Sequence, residues 1–538
     1  MKSLRRDLLW ILPASLGLGL ILSLLDGVRT NSSTWWIGWL AYVLVLGLGL
    51  LALSALWRSA GAPRALAWIL ILTVFLRLSV GVALTFILPA AGNGSEAELA
   101  GYVFKDAYNR DTQAWQLASS GQSLLRAFDK DYSTDQYGGL LALSAILYRL
   151  LSPDAHRPWL ILLVGPLAYA AGLALAWKAI QRAWGGPKGS DARGTLAVLA
   201  GWVLALYPES VLQGASQMRE PFLVTFVGMV FWGFVELADG SRSGWFWLGA
   251  GLAGMLLFSP AVAFVALLAL GVWIWLRSGK RRLTWRAAGV TLAVVLVVGA
   301  VGLTLLWKAL ARGDLTGASP LLTFRLWLLQ AFTHDLTQIV QRSDWLWKIL
   351  EAMPQPFHLP FVTLTGLIQP ILPGTIVDAT AWPWQVINIL RSAGWYALVP
   401  FLFFALIAAW KRPAGSERRA WLWLWLVVAG WIVFSSLRAA GDQWDNPRYR
   451  VILLLPEALL AALAWSHWRE SRSPWMGRIL AIEGVFVALF AYWYVVRAIG
   501  WAPGQVHVFA IVGAILVLSG LILLGGWIRD WHRSRRRT

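Results

Sequence analysis

Long apolar runs recur along almost the whole chain, each ended by a short cluster of charged or turn-forming residues. A helix that crosses a bilayer needs roughly 20 mostly apolar residues, about 17–25. Runs of that kind lie near 8–25, 36–57, 65–88, 159–178, 194–209, 221–238, 287–308, 394–410, 419–437, 451–468, 478–497 and 507–527. The stretch 244–277 is long enough for two shorter spans hinged at Ser259-Pro260. The pattern predicts an all-α polytopic membrane protein of about 14 transmembrane helices. Lys2, Arg5 and Arg6 precede the first run without a small-x-small cleavage site, so that run reads as an uncleaved anchor.

The polar positions between the runs set an orientation, because Lys and Arg are enriched in cytoplasmic turns. Basic turns fall at Met1–Asp7, Trp57–Arg64, Lys178–Arg193, Ala238–Gly244, Arg277–Arg286, Lys411–Arg419, His467–Arg478 and Arg529–Arg537. All of them share one side only if the apolar stretch Gly138–Leu151 lies in its loop as a partly inserted helix rather than crossing. In that arrangement these turns hold 27 of the 46 Lys+Arg, whereas 18 of the 27 Asp+Glu lie opposite. Both termini are then expected in the cytoplasm of a cell-membrane protein. The outer face would carry two large, partly helical segments, about 89–158 and 308–393, and short connections at Glu209–Glu220 and Arg438–Arg450. Long loops rich in Trp, Phe, Leu and Tyr are not disordered in composition, so a functional site is expected outside.

Composition narrows the chemistry. Of 538 residues, 58% are hydrophobic, 14% are charged and none is cysteine, with a mean hydropathy of +0.62. That excludes a disordered chain, a coiled coil, an ordinary cytosolic enzyme and thiol chemistry. The formal charge of +19 does not indicate nucleic acid, because topology and anionic lipid account for most of it. Most of the 37 Trp sit at span ends, as interfacial anchors do.

Three outer segments carry candidate chemistry. Lys105–Gly121 reads as a short helix ended by glycine, with Asp106 and Arg110 as i,i+4 partners and Asp111 sharing a face with Trp115. A carboxylate held there beside aromatics suits a general base acting on a hydroxyl; a charge-paired interfacial helix would look similar. Asp129, Asp131 and Asp135 are lesser candidates that could simply solvate the loop. Glu220 precedes Pro221 at the start of a helix, where the positive helix end stabilises an ionised acid; pairing with Arg219 is the plainer reading. In Asn446-Pro-Arg448-Tyr449-Arg450, two arginines at headgroup level could hold a lipid phosphate or anchor the interface.

Taken in order and by side, these elements resemble the GT-C superfamily of membrane glycosyltransferases, which includes bacterial family 39-type protein O-mannosyltransferases and aminoarabinose transferases. The first-loop Asp with an aromatic four residues on, the acid-Pro pair at Glu220-Pro221 and the Asn-x-Arg-Tyr element carry the resemblance. Asp111-Thr112 departs from the common Asp-Glu pair, and Glu220 stands where Asp is more usual. The resemblance covers about 65–538 as a GT-C-like domain and leaves 1–64 as two additional N-terminal helices. It implies a polyprenyl-phosphate-linked sugar donor, a glycan, lipid or protein acceptor, and inverting transfer. Asp111 or Asp106 would be the base and Glu220 a second carboxylate, with Arg448, Arg450, more loosely Tyr449, and Arg219 at the donor phosphate. No cofactor is required; a divalent ion is compatible.

The remaining features have weaker signals. Leu321–Glu351 is amphipathic, with Arg325, His334, Asp335, Arg342 and Lys348, and the Pro-broken run Pro356–Pro373 suggests a re-entrant or surface-lying element. His334 and His358 lack a metal-ligand spacing. Arg77, Glu457 and Glu483 fall inside expected spans, where a charge needs a partner, and an Arg77–Glu457 pair is one option. A transporter or flippase of lipid-linked glycans, an O-antigen polymerase- or ligase-like enzyme, and a non-catalytic assembly protein are the competing readings.

Overall fold

The computed structural model describes residues 2–30, 33–184, 192–277, 349–377, 380–439, 442–499 and 506–535. Every regular element among them is helical. Among the described residues, eleven helices are long and apolar enough to cross a membrane, or twelve if the bent pair Gly194–Leu206 with Pro208–Gly214 is one span. The run 260–277 qualifies alone, while its partner Ser243–Phe258 is a shorter apolar helix broken from it at Ser259-Pro260. The expected span at 287–308, His334 and most of the amphipathic stretch 321–351 lie outside the described residues.

The chain divides into two compact units, Met1–Thr333 with Arg450–Ala458 and His334–Tyr449 with Leu459–Thr538. In the first, the helices are α1 (Lys2–Thr30), α2 (Trp35–Ser59), α3 (Arg64–Ala91), α4 (Glu96–Leu99), α5 (Lys105–Ser119), α6 (Gly139–Leu151) and α7 (Trp159–Ala183). They continue with α8 (Ala192–Leu206), α9 (Pro208–Gly214), α10 (Glu220–Ala238), α11 (Ser243–Phe258) and α12 (Pro260–Arg277). α7 is apolar all round and correspondingly buried, packed by α2, α3, α8 and α10. Small residues allow the closest of these crossings. A Cβ on Gly172 would lie 2.4 Å from Thr225 Cα, and one on Gly228 would lie 2.5 Å from the Gly172 carbonyl.

The pairing of Arg77 with Glu457 is not what the structure shows. Pro208 has no N–H to continue α8, so the α8–α9 pair bends by 57° and the last carbonyls of α8 lose their helical partners. Arg77 supplies the missing donors. Its guanidinium donates to the carbonyls of Leu204 (2.9 Å), Ala205 (3.0 Å) and Thr73 (3.2 Å) and to Ser210 Oγ (2.8 Å), and lies 3.9 Å over the Tyr169 ring. The charge that acts on the Glu457 carboxyl is that of Arg450 instead.

In the second unit, the helix expected from 394 begins at Trp382 and runs to Trp410. Pro383 occupies its first turn, and Arg391, a polar interruption in the sequence, is buried with its guanidinium on the Trp444 carbonyl (2.9 Å) and ring. The Pro-broken run forms two short helices, His358–Ile368 and Leu372–Val377. Gly366 lets the former pack on Ser416–Arg438, since a Cβ there would lie 2.6 Å from Ser436 Cβ. His358 donates to the Met353 carbonyl at 2.8 Å.

Candidate active site

The region after α3 turns back on its own span. Ser95 and Glu98 form a capping box that starts α4. Gly101 then takes φ +82° and passes 2.7 Å from the Thr85 carbonyl, measured from where a Cβ would sit, so only glycine fits there. The turn leads Tyr102 inward. α5 buries one face, made of Ala107, Arg110, Asp111, Ala114, Leu117 and Ala118. Asp111 stands in the middle of that face. Asp106, five residues earlier and so rotated by about 140°, is exposed.

α6 has 13 residues, about 20 Å, short of a hydrocarbon core of about 30 Å. It packs along α5, and Arg149 donates to the Leu117 and Ala118 carbonyls at the α5 end, at 2.7 and 3.1 Å. This brings Tyr148 to Asp111. The carboxylate, 3% exposed, accepts from Tyr148 Oη on Oδ1, from Tyr102 Oη on Oδ2 at 2.6 Å, and from His156 Nε2 on Oδ2 at 2.8 Å. His156 lies in the loop before α7 and is 28% exposed. Its ring stacks on Trp115 (5.3 Å, 18°) and meets the Tyr148 ring edge to face (5.2 Å, 87°).

The electrostatics follow from these partners. Burial alone would push the Asp111 carboxyl up, but His156 and the two tyrosine hydroxyls together hold it below the usual carboxylate range. Burial, followed by the charge of Asp111, pushes both Tyr102 and Tyr148 well up, so both remain donors. The result is a buried anion with one partly exposed partner.

The other acidic candidates sort differently. Asp129 and Asp131 are 54% and 70% exposed and bind Arg126. Asp135 accepts the backbone N–H groups of Leu140 (2.9 Å) and Leu141 (3.0 Å) and so caps α6. Glu220 is buried at the first position of α10, ahead of Pro221. Its connection to α9 is joined to α5. Arg110 Nη2 donates to the Gln217 carbonyl at 2.6 Å, Gln217 itself takes φ +55°, and Met218 packs with Ala97, Tyr102 and Ala107. Arg219 lies 5.4 Å over the Tyr137 ring. The turn that bears Arg219 and Glu220 is therefore joined to α5, the helix that carries Asp111.

Arg450, also in this unit, is buried and leads into the turn Val451–Leu453, which packs on α10. Arg448 and Tyr449 belong to the second unit. There Arg448 pairs with Asp445 at 3.6 Å, the Tyr449 carbonyl accepts from Trp431 Nε1 at 3.0 Å, and Arg438 lies 5.5 Å over the Tyr449 ring. Among the described residues, no three His, Asp or Glu side chains converge to hold a metal ion.

His156, Tyr102 and Tyr148 are the residues that sequence reasoning missed. His156 lies 45 positions from Asp111, in Asp154-Ala-His-Arg-Pro158, and a lone His carries no local signal. The available hint is its place just before a span, on the same expected side as Asp111.

The fold and the site together define a multi-pass helical membrane protein with a buried, aromatic-lined acidic centre at one end of its first helical unit. No protein-family model and no curated protein matches the chain. Among solved structures, the chain is similar to the archaeal oligosaccharyltransferase AglB from Archaeoglobus fulgidus, determined in complex with an inhibitory peptide and a dolichol-phosphate. The TM-score is 0.38 at 13% identity, over 85% of this chain and 54% of the other, so the chain spans about half the length of that protein.

Proposed function

We propose that this protein is a membrane glycosyltransferase that moves a sugar from a polyprenyl-phosphate donor to an acceptor hydroxyl at the extracytoplasmic surface. The observation that carries the reading is the Asp111 centre. A carboxylate is kept ionised out of water by three donors, on the second helix after a span, and that helix is tied to the turn bearing Glu220. Such an anion is suited to activating a hydroxyl, because the proton lost on attack is stabilised by fixed negative charge. Glu220, at the helix start, orients the acceptor or assists the base. Arg450 supplies the cationic end at which the lipid phosphate departs. Attack opposite the departing phosphate inverts the anomeric carbon. Asp106 has no part in this reading, because it faces away from the centre.

The test is a release assay with the purified full chain in lipid nanodiscs. The probes are radiolabelled undecaprenyl-phosphate glucose, mannose and galactose, with bacterial membrane lipids as acceptors. The expected result is acceptor-dependent release of undecaprenyl phosphate from at least one probe, reduced at least tenfold by Glu220→Gln. Folded protein that releases no lipid phosphate from any of them contradicts the reading.

A further inference from the structure

We propose that His156 takes the acceptor's proton and that Asp111 acts through it. The proposal rests on the glycosyl-transfer reading above and names the atom that performs its first step. Both carboxylate oxygens of Asp111 are already engaged, Oδ1 by Tyr148 and Oδ2 by Tyr102 and His156, and the side chain is 3% exposed. An acceptor hydroxyl would have to displace one of these donors to reach it. His156 is 28% exposed, whereas the other two partners of that anion, Tyr102 and Tyr148, are buried.

Its chemistry is set by its partner. An ionised carboxylate only accepts, so the Nε2–H of His156 donates to Asp111, and in the neutral ring the lone pair lies on Nδ1. Nδ1 has no hydrogen bond to the described residues. Trp115, stacked 5.3 Å from the ring, and the edge-on Tyr148 fix the ring plane. In the step, the acceptor oxygen forms a bond to the anomeric carbon as the bond from that carbon to the phosphate oxygen breaks. The electron pair of the broken bond leaves with the lipid phosphate, and the hydroxyl proton passes to Nδ1. The imidazolium formed is paired with Asp111 at 2.8 Å, so the buried charge that costs most in the resting state stabilises the product of proton transfer.

The loop is also anchored where this requires it. Arg157, the next residue, is buried and donates to both oxygens of Asp154 (2.7 Å each), to Ser152 Oγ (2.7 Å) and to the Thr34 carbonyl (2.9 Å). The α1–α2 turn thus holds the backbone beside His156. The titratable groups facing the ring are Asp111 from α5 and Tyr148 from α6, with Tyr102 on the same carboxylate and the Asp154–Arg157 pair on its own loop.

The test uses the release assay with the full chain and whichever undecaprenyl-phosphate hexose it turns over. General-base removal costs about 10²–10⁴-fold. His156→Ala and His156→Gln are expected to lower kcat by at least 100-fold with KM for the donor within about threefold, and added imidazole is expected to restore part of the rate to His156→Ala alone. If His156→Ala keeps its rate while Asp111→Asn loses it, the role of His156 is overturned and glycosyl transfer stands. Absence of wild-type turnover overturns both.

Discussion

Arg77 and Asp111 are both buried charges in the first helical unit, and they are satisfied in opposite ways. Arg77 spends its donors on backbone carbonyls left over by the bend at Pro208 and on Ser210, and its ring contact, Tyr169, is buried too. Every one of its partners is internal, so it braces a broken helix and offers nothing to a substrate. Asp111 is held entirely by side chains, and one of them, His156, reaches solvent. Burial of a charge therefore does not by itself mark a site; what distinguishes the second case is a path from the buried group to the outside.

The contrast makes predictions of decreasing size. Arg77→Met should remove four hydrogen bonds from a buried cation, leave the Ala205 carbonyl without its side-chain donor and the Leu204 carbonyl with Tyr169 Oη alone, and cost about 3 kcal/mol or more. Thermal unfolding in nanodiscs should show it, with activity falling only as the folded fraction falls. A large loss of kcat in folded Arg77→Met would place Arg77 in the chemistry and contradict a purely bracing role.

Removing one tyrosine donor from Asp111 takes away a hydrogen bond to a charged group, worth about 1.5–3 kcal/mol. Tyr148→Phe and Tyr102→Phe should each slow turnover about tenfold or more. Both should also raise the Asp111 pKa, because each loses one of the interactions that hold it down.

A smaller effect is expected at the Asp154–Arg157 tether. Hydrogen bonds from Arg157 are the main cause that lowers Asp154 to about 2. A depressed carboxylate contributes stability that is fully present above its unfolded pKa, about 3.9, and is lost as pH falls through the folded value. The tether should therefore hold at pH 5 and weaken between about pH 4 and 2, a loss of thermal stability that Asp154→Asn no longer shows. Least of all, Asp129→Asn and Asp131→Asn remove exposed pairs worth under about 1 kcal/mol, and turnover should stay within twofold.

Spans and short helices were legible because each is written in consecutive residues. The helix Lys105–Ser119 with its Asp111–Trp115 face follows from local composition, and so does the break at Ser259-Pro260. The start of the helix at Trp382 was not, because Arg391 reads as exposed until Trp444 is seen to cover it. Arg77 invited a search for an acid, whereas its partners are backbone groups released by a proline 131 positions away (208 − 77). His156 was illegible for the same reason: the partner that gives it meaning is brought by α6 and by a loop tied to the α1–α2 turn, and no spacing records that.

The most direct measurement compares undecaprenyl-phosphate release by the wild type and by Asp111→Asn, each checked for folding by thermal unfolding in the same nanodiscs. Folded Asp111→Asn is expected to release lipid phosphate at least 100-fold more slowly at saturating donor, because the proton-accepting His156 loses the anion that pairs with its imidazolium. Folded Asp111→Asn turning over at the wild-type rate would contradict that expectation.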